Sequence, residues 1–311
     1  MTNKSKLITL LLMAATYGSQ VQAQVSDALK DILPITDSAK KMSLNGKWKI
    51  KVIKGIGDDK TVPAQDNTWT NIDVPGCWEA YGLCKAKYSF PDSLTGYYRT
   101  SFTIPDEWKG ERIGIRLDGV LRGYDLWINN KYVGTWECGY NTCQFDITPY
   151  LQKKGKQELA MRVYSRFRGF EFDCYDDWAP MGIDRDVTLF AYPNTHICDI
   201  RVDTKMDGSV NIDATIANAR KDNRLEYTLT DATGKIVAEG NRMKVANPHL
   251  WTAETPYLYN LTVKLKDKKN DIQTFTQKVG IREISIDGNL LKVNGKPVKL
   301  RGVTCHATDP Q

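Results

Sequence analysis

Helical periodicity is almost absent from this sequence, which argues against folds whose helices cross between parallel strands. Histidine is scarce, with three widely scattered residues, and none of the seven cysteines forms a C-x-x-C pair. A zinc site built on such spacings is therefore not expected. Charge of one sign does not dominate: 43 Lys and Arg stand against 37 Asp and Glu, well mixed. The densest basic cluster, Lys266, Lys268 and Lys269, sits among Asp267 and Asp271 and reads as a solvated hairpin tip. That mixing argues against nucleic acid as a partner, which usually calls for a clustered basic face. Long apolar runs are also missing. The longest, Leu7 to Ala15, falls far short of the roughly twenty residues a membrane span requires.

That one run has a different reading. Lys4 and Lys6 precede it, and Val21-Gln22-Ala23 supplies small residues before a cleavage point. Residues 1–23 are thus predicted to be a secretory signal peptide, giving an exported protein, periplasmic or extracellular. The segment carries two Lys and no acid, so the mature net charge is +6 − 2 = +4. Residues 24–43 form an N-terminal extension whose amphipathic stretch, Ala28 to Leu33, stops at Pro34. Export permits disulfides, and Cys77/Cys84 or Cys138/Cys143 would close short loops; with Cys174, Cys198 and Cys305 the count is odd, and scattered thiols are the simpler reading.

What is present is strand after strand. Ile113, Ile115 and Leu117 alternate with Gly114 and Arg116, as do Tyr124, Leu126 and Ile128, and Leu159, Met161 and Val163. This period of two buries one face of each strand. Asn129-Asn130 marks a tight turn, because Asn tolerates positive φ. A boundary falls at Tyr192-Pro193-Asn194. Beyond it, about seven short strands in some ninety residues fit an immunoglobulin-like sandwich without its Cys…Trp…Cys signature. Asp287-Gly288 and Asn294-Gly295 then read as hairpin turns, followed by an apolar strand at Val298 to Val303.

These segments, taken in order, resemble the β-galactosidase/β-glucuronidase group, glycoside hydrolase family 2. Leu44 to Trp48 and Val74-Pro75-Gly76-Cys77-Trp78-Glu79 resemble the opening of its sugar-binding jelly-roll domain. Gly96 to Arg99, Asp118-Gly119-Val120, Trp127-Ile128-Asn129 and Phe145 to Thr148 continue it, and Trp178 with Gly182 to Val187 closes it. Asn247 to Tyr259, centred on Trp251, is similar to the signature of the immunoglobulin-like domain. Val279 to Glu283 with Leu291 to Gly302 matches the lead into the barrel. The expected fold is all-β: a jelly roll over 44–193, an immunoglobulin-like sandwich over 194–283, and at 284–311 a hairpin and the first strand of a truncated (β/α)8 barrel.

The resemblance also carries chemistry. Family members hydrolyse β-glycosides with retention, using two Glu carboxylates about 5–5.5 Å apart, both on the barrel. The acid/base there follows an Asn, and no Asn-Glu dipeptide occurs in this sequence. No catalytic residue is therefore assigned, and the chain alone is expected to be inactive. Two residues are candidates for substrate binding. Asp176, two before Trp178, stands where the β-galactosidase branch places a sugar-contacting Asp that can also share a cation. His306 stands where the family has Arg-His-Glu, although here the step reads Cys305-His306-Ala307. No cofactor is expected in this chain, although a divalent or monovalent cation is possible in the intact family. Carbohydrate is the expected partner, with no membrane span and with a homo-oligomer or a complementing barrel chain as possible assemblies. A stand-alone carbohydrate-binding module is the rival reading. In it Trp136, Tyr140, Trp78 and Tyr81 near the loops would stack on a sugar ring, whereas packing is the commoner fate of such rings.

Overall fold

The computed structural model describes residues 29, 33–35, 40–57, 61–88, 92–167, 170, 178–268 and 270–304. The proposed signal peptide and most of the Ala28–Leu33 stretch lie outside them. Two compact units divide the chain, one built on Lys41–Ala191 and the other on Tyr192–Cys305.

The first unit holds β1 (Lys41–Ser43), β2 (Gly46–Lys54), β3 (Thr70–Val74), β4 (Gly76–Cys77), β5 (Leu94–Thr103), β6 (Arg112–Leu117), β7 (Gly123–Ile128), β8 (Lys131–Trp136), β9 (Cys143–Asp146), β10 (Lys156–Tyr164), β11 (Gly182–Ile183) and β12 (Val187–Tyr192), whose last residue crosses into the second unit. They form a six-stranded sheet, β3-β2-β5-β10-β7-β8, a four-stranded sheet, β1-β12-β6-β9, and the small pair β11-β4. Every pairing in the six-stranded sheet is antiparallel, as are β1–β12, β6–β9 and β4–β11.

Alternation in the sequence explains the core. Ile50, Tyr98, Met161 and Leu126 from the larger sheet and Ile115, Phe145 and Leu189 from the smaller are fully buried in one cluster. Each such side chain contributes about 1.5–3 kcal/mol by leaving water. Asn129 and Asn130 carry φ of 51° and 61°, the left-handed geometry expected of the β7–β8 turn.

β7 departs from simple alternation, because all six of its residues are buried. Its second face is covered too: Trp127 packs edge-on against Tyr132, with ring centroids 5.5 Å apart, and Asp125 is ion-paired with Arg162.

The second unit contains β13 (His196–Thr204), β14 (Ser209–Ala217), β15 (Arg224–Thr230), β16 (Ile236–Glu239), β17 (Arg242–Lys244), β18 (Tyr259–Lys266) and β19 (Asp271–Val279). Sheets β13-β14-β17 and β16-β15-β18-β19 enclose Val210, Ile212, Leu229, Leu261, Val263 and Leu265. β18 reads buried, half-buried, buried along its length, as its sequence alternation requires. Trp251 closes this unit locally: Gly280 leaves room for its side chain, and the Arg282 guanidinium lies 4.4 Å from its ring centroid.

The same unit ends in β20 (Ile284–Asp287), β21 (Leu290–Val293) and β22 (Lys296–Pro297), an antiparallel meander turning at Gly288 and at Asn294-Gly295. The apolar strand expected at Val298 to Val303 does not form. Val298 N–H still donates to Leu291 O at 2.9 Å, one bond past β22, but a strand needs a continued ladder and none follows it among the described residues.

Candidate functional site

Four loops of the first unit meet around the β4–β11 pair. Gly76 and Cys77 lie opposite Ile183 and Gly182, and Gly182 in turn exchanges backbone hydrogen bonds with Leu121 at 2.8 and 3.1 Å. Trp78 N–H donates to Met181 O at 2.8 Å, Val120 N–H to Gly139 O at 3.2 Å, and Ala179 N–H to Lys87 O at 2.8 Å. Val74-Pro75 and Leu121-Arg122 are cis peptides. Gly182 has φ of +130°, and a Cβ there would come within 2.5 Å of Gly76 O, so only glycine lets the two backbones approach.

The platform beneath is aromatic. Trp78 is fully buried and its indole N–H donates to the Tyr98 hydroxyl at 2.5 Å. Phe170 lies between two cations, with the Arg166 guanidinium 4.5 Å and the Arg122 guanidinium 5.6 Å from its ring centroid. At the rim, Tyr88 is 54% exposed and meets the Trp178 ring edge-on at 5.8 Å.

Two carboxyls sit in this cluster, and burial raises the pKa of both. Glu79 is 4% exposed and accepts from Met181 N–H at 3.2 Å and from the Cys84 thiol at 3.3 Å. Desolvation pushes it up, opposed by these donors and by the buried Arg122 cation. Asp184 is raised by the same cause and opposed by Arg185, whose Nε lies 3.9 Å away. Burial also drives Cys77 to about 11 and Cys84 to about 12, which keeps both as thiols and poor nucleophiles at neutral pH.

None of this is a hydrolytic pair. Glu79 faces backbone and thiol and is closed to solvent, and Asp184 packs against Gly119 and Arg185. Among the described residues, a groove of about 660 Å³ on the six-stranded sheet carries one acid, Glu158, and a second of about 510 Å³ in the other unit carries none. Among the described residues, no group of three or more His, Cys, Asp or Glu side chains is placed to hold a metal ion.

Asp176 and His306, the two residues read from the sequence as substrate contacts, lie outside the described residues. Along the chain, the nearest described residues before and after Asp176 are Phe170 and Trp178, and both belong to the loop cluster. Of the four loop aromatics, Trp78 is sealed in the core. Trp136 packs against that core with its N–H on Cys138 O, and Tyr81 is 41% exposed with its hydroxyl on Asp73. Arg185 pairs with Asp184 and donates to Tyr140 O at 3.3 Å, and the Asp186 carboxylate takes the Asn45 amide at 2.8 Å. Sequence reasoning passed over Glu79 and Arg122 as chemical groups. Glu79 closes the Val74–Glu79 motif, but nothing in one sequence marks it as buried, and Arg122 breaks no periodic pattern.

Models of the family match most of each unit. Residues 42–193 match the sugar-binding domain of glycosyl hydrolases family 2, and 195–282 match a second model, described as glycosyl hydrolases family 2. The chain belongs to glycosyl hydrolase family 2. A β-galactosidase of Halalkalibacterium halodurans is 30% identical over 85% of this chain and 30% of its own length. One of Priestia megaterium is 30% identical over 99% of this chain and 33% of its own length. The chain thus spans about a third of the length of the β-galactosidases it matches. Among solved structures, a Ruminococcus gnavus β-glucuronidase shares the fold, with a TM-score of 0.75 at 22% identity, covering 88% of this chain and 49% of that one.

Proposed function

We propose that this chain is the exported, non-catalytic front part of a β-galactosidase-like family 2 enzyme, which cleaves β-glycosides with retention when a barrel is present. The observation that carries the reading is the ordered pair of domain matches over 42–193 and 195–282, in a sequence that contains no Asn-Glu step. In such an enzyme one carboxylic acid protonates the leaving oxygen while a carboxylate attacks the anomeric carbon. Those two groups belong to the barrel, and the sandwich units hold loops against its rim. Asp176, two residues before Trp178 in the sequence, is then a hydroxyl acceptor for the sugar, and His306 a second substrate contact when a barrel is present.

The end of the second unit supports a further protein surface on the meander. Ile284, Ile286 and Leu290 are 58%, 76% and 50% exposed, and Leu300 reaches 79%. Leaving four large aliphatic side chains in water forgoes several kcal/mol that packing on a barrel would recover.

Two experiments test this. N-terminal sequencing of the protein recovered from the periplasm or medium is expected to begin at Gln24, and retention of residues 1–23 in a cytoplasmic product would count against export. Fusing the barrel of a matched β-galactosidase after Arg301, or supplying it as a separate chain, is expected to give turnover of a chromogenic β-galactoside. A soluble fusion with no turnover on β-galactosides or β-glucuronides would overturn the assignment. A stand-alone binding module would instead show oligosaccharide binding with no barrel-dependent activity.

A further inference from the structure

The outer face of the six-stranded sheet carries an arrangement that the glycosidase reading does not use. Along β2, Lys47, Lys49 and Lys51 alternate with the buried or partly buried Trp48, Ile50 and Val52, so all three lysines point to the outer face. Lys47 is paired with Asp73 at 3.0 Å and Lys51 with Asp66 at 3.2 Å. Lys49, between them, has no ion pair among the described residues. Its cross-strand neighbours are Asn71 on β3 and Arg99 on β5, and the residue beyond Arg99 in the same row is Ala160.

Two cations directly opposite each other on one sheet face, in a row with no acid, repel and destabilise the pair. The Glu158 carboxylate, 4.0 Å from Arg99 Nη1, offsets part of this repulsion. Most of the Arg99 guanidinium is committed elsewhere, since Nε and Nη2 donate to Pro63 O and Val62 O at 3.0 and 2.7 Å and hold the 61–68 loop as one wall. The result is an open groove of about 660 Å³, lined by Lys47, Lys49, Arg99 and Lys156 and, among the described residues, by one acid, Glu158. Asn71, Ser101 and Asn130 add amide and hydroxyl groups to it. Among the described residues no exposed aromatic ring lines it; the one ring residue there, Trp48, is 2% exposed. A neutral sugar would have nothing to stack on, whereas a polyhydroxylated anion finds both cations and hydrogen-bonding groups.

We propose that this groove binds an acidic oligosaccharide, with its carboxylate or sulfate groups on Lys49 and Lys156 and its hydroxyls on Asn71 and Ser101. The ligand class rests on the carbohydrate reading above, but the site is separate from the loop cluster. Calorimetry on the full chain with oligogalacturonate, a heparin-derived oligosaccharide and a neutral galacto-oligosaccharide tests it, with barrel-dependent turnover measured in parallel. Binding of one or both acidic probes is expected, weakening as salt rises, and the stronger of the two identifies carboxylate or sulfate as the anion. K49A and K156A are each expected to weaken it about tenfold, the loss of one charge-assisted contact, while K54A at the end of the same strand changes it less than twofold. Four results would each overturn the proposal: no binding of either acidic probe, equal binding of the neutral one, binding indifferent to both lysine substitutions, or tighter binding of single-stranded DNA that is lost with them. Turnover in the barrel fusion is expected to survive K49A and K156A, so loss of glycan binding with turnover intact isolates this inference from the assignment of function.

Discussion

Replacing Asp125 with Asn isolates the interaction that fixes the middle of the six-stranded sheet. Arg162 on β10 directs Nε and Nη2 to Asp125 Oδ2 on β7 at 2.7 and 2.6 Å, with the two side chains 7% and 6% exposed. The Arg162 guanidinium also stacks 4.6 Å from the Tyr164 ring centroid, and Thr135 Oγ1 donates to the other carboxylate oxygen. Asn keeps the shape and removes the charge, which strands a buried guanidinium. The cost of breaking a buried pair in this way is about 3–5 kcal/mol. For a unit of this size that lowers the melting temperature by on the order of 10 °C. Seven of the eight Trp lie in the first unit and only Trp251 in the second, so fluorescence-monitored urea unfolding reads the first unit selectively. With an m-value of about 2 kcal/mol/M, the midpoint is expected to fall by roughly 2 M. R162M alone is expected to be similarly damaging. The double variant D125N/R162M is expected to be less damaged than the sum by about 2–3 kcal/mol, because no charge is left buried. A D125N cost below about 1 kcal/mol, or single costs that add within about 0.5 kcal/mol, would refute the reasoning.

Other outcomes follow from the same structure. G182A places a Cβ against Gly76 O at a φ of +130°, so it is expected to cost about 2–4 kcal/mol in thermal unfolding; a shift below 1 °C would contradict the close approach. Glu79 holds its proton to higher pH when folded than when unfolded, so its contribution to stability falls as pH rises from the unfolded carboxyl value through the raised folded one. E79Q is therefore expected to be relatively more stable at pH 7 than at pH 4 in matched urea titrations, and the opposite trend would show that the carboxylate is favoured as the anion. W251A removes the ring that Gly280 and Arg282 enclose, and about 2–4 kcal/mol is expected to be lost from the second unit by circular dichroism, with the tryptophan transition of the first unit unmoved.

The fold was largely legible because its strands bury one face at a time. Ile113, Ile115 and Leu117, or Tyr259, Leu261, Val263 and Leu265, declare their inward side by spacing alone, and Asn129-Asn130 declares the turn by its tolerance of positive φ. β7 hid its second buried face, because an Asp and a Trp facing outward look solvated until Arg162 and Tyr132 are found across the ladder. Val298 to Val303 failed for the complementary reason: apolar alternation licenses a strand only where another backbone can pair with it. The loop cluster was partly legible. Gly182 and Trp78 stood out by type, but the burial of Glu79 beside Cys84 and the juxtaposition of Lys49 with Arg99 are products of long-range register, to which a linear reading has no access.

The central claim is that the carboxylates that break a glycosidic bond are not carried by these 311 residues. Turnover of a chromogenic β-galactoside and β-glucuronide by the purified chain tests it most directly. The account requires a rate indistinguishable from buffer. Sustained release of chromophore that scales with protein and persists in D176N and H306A would contradict it.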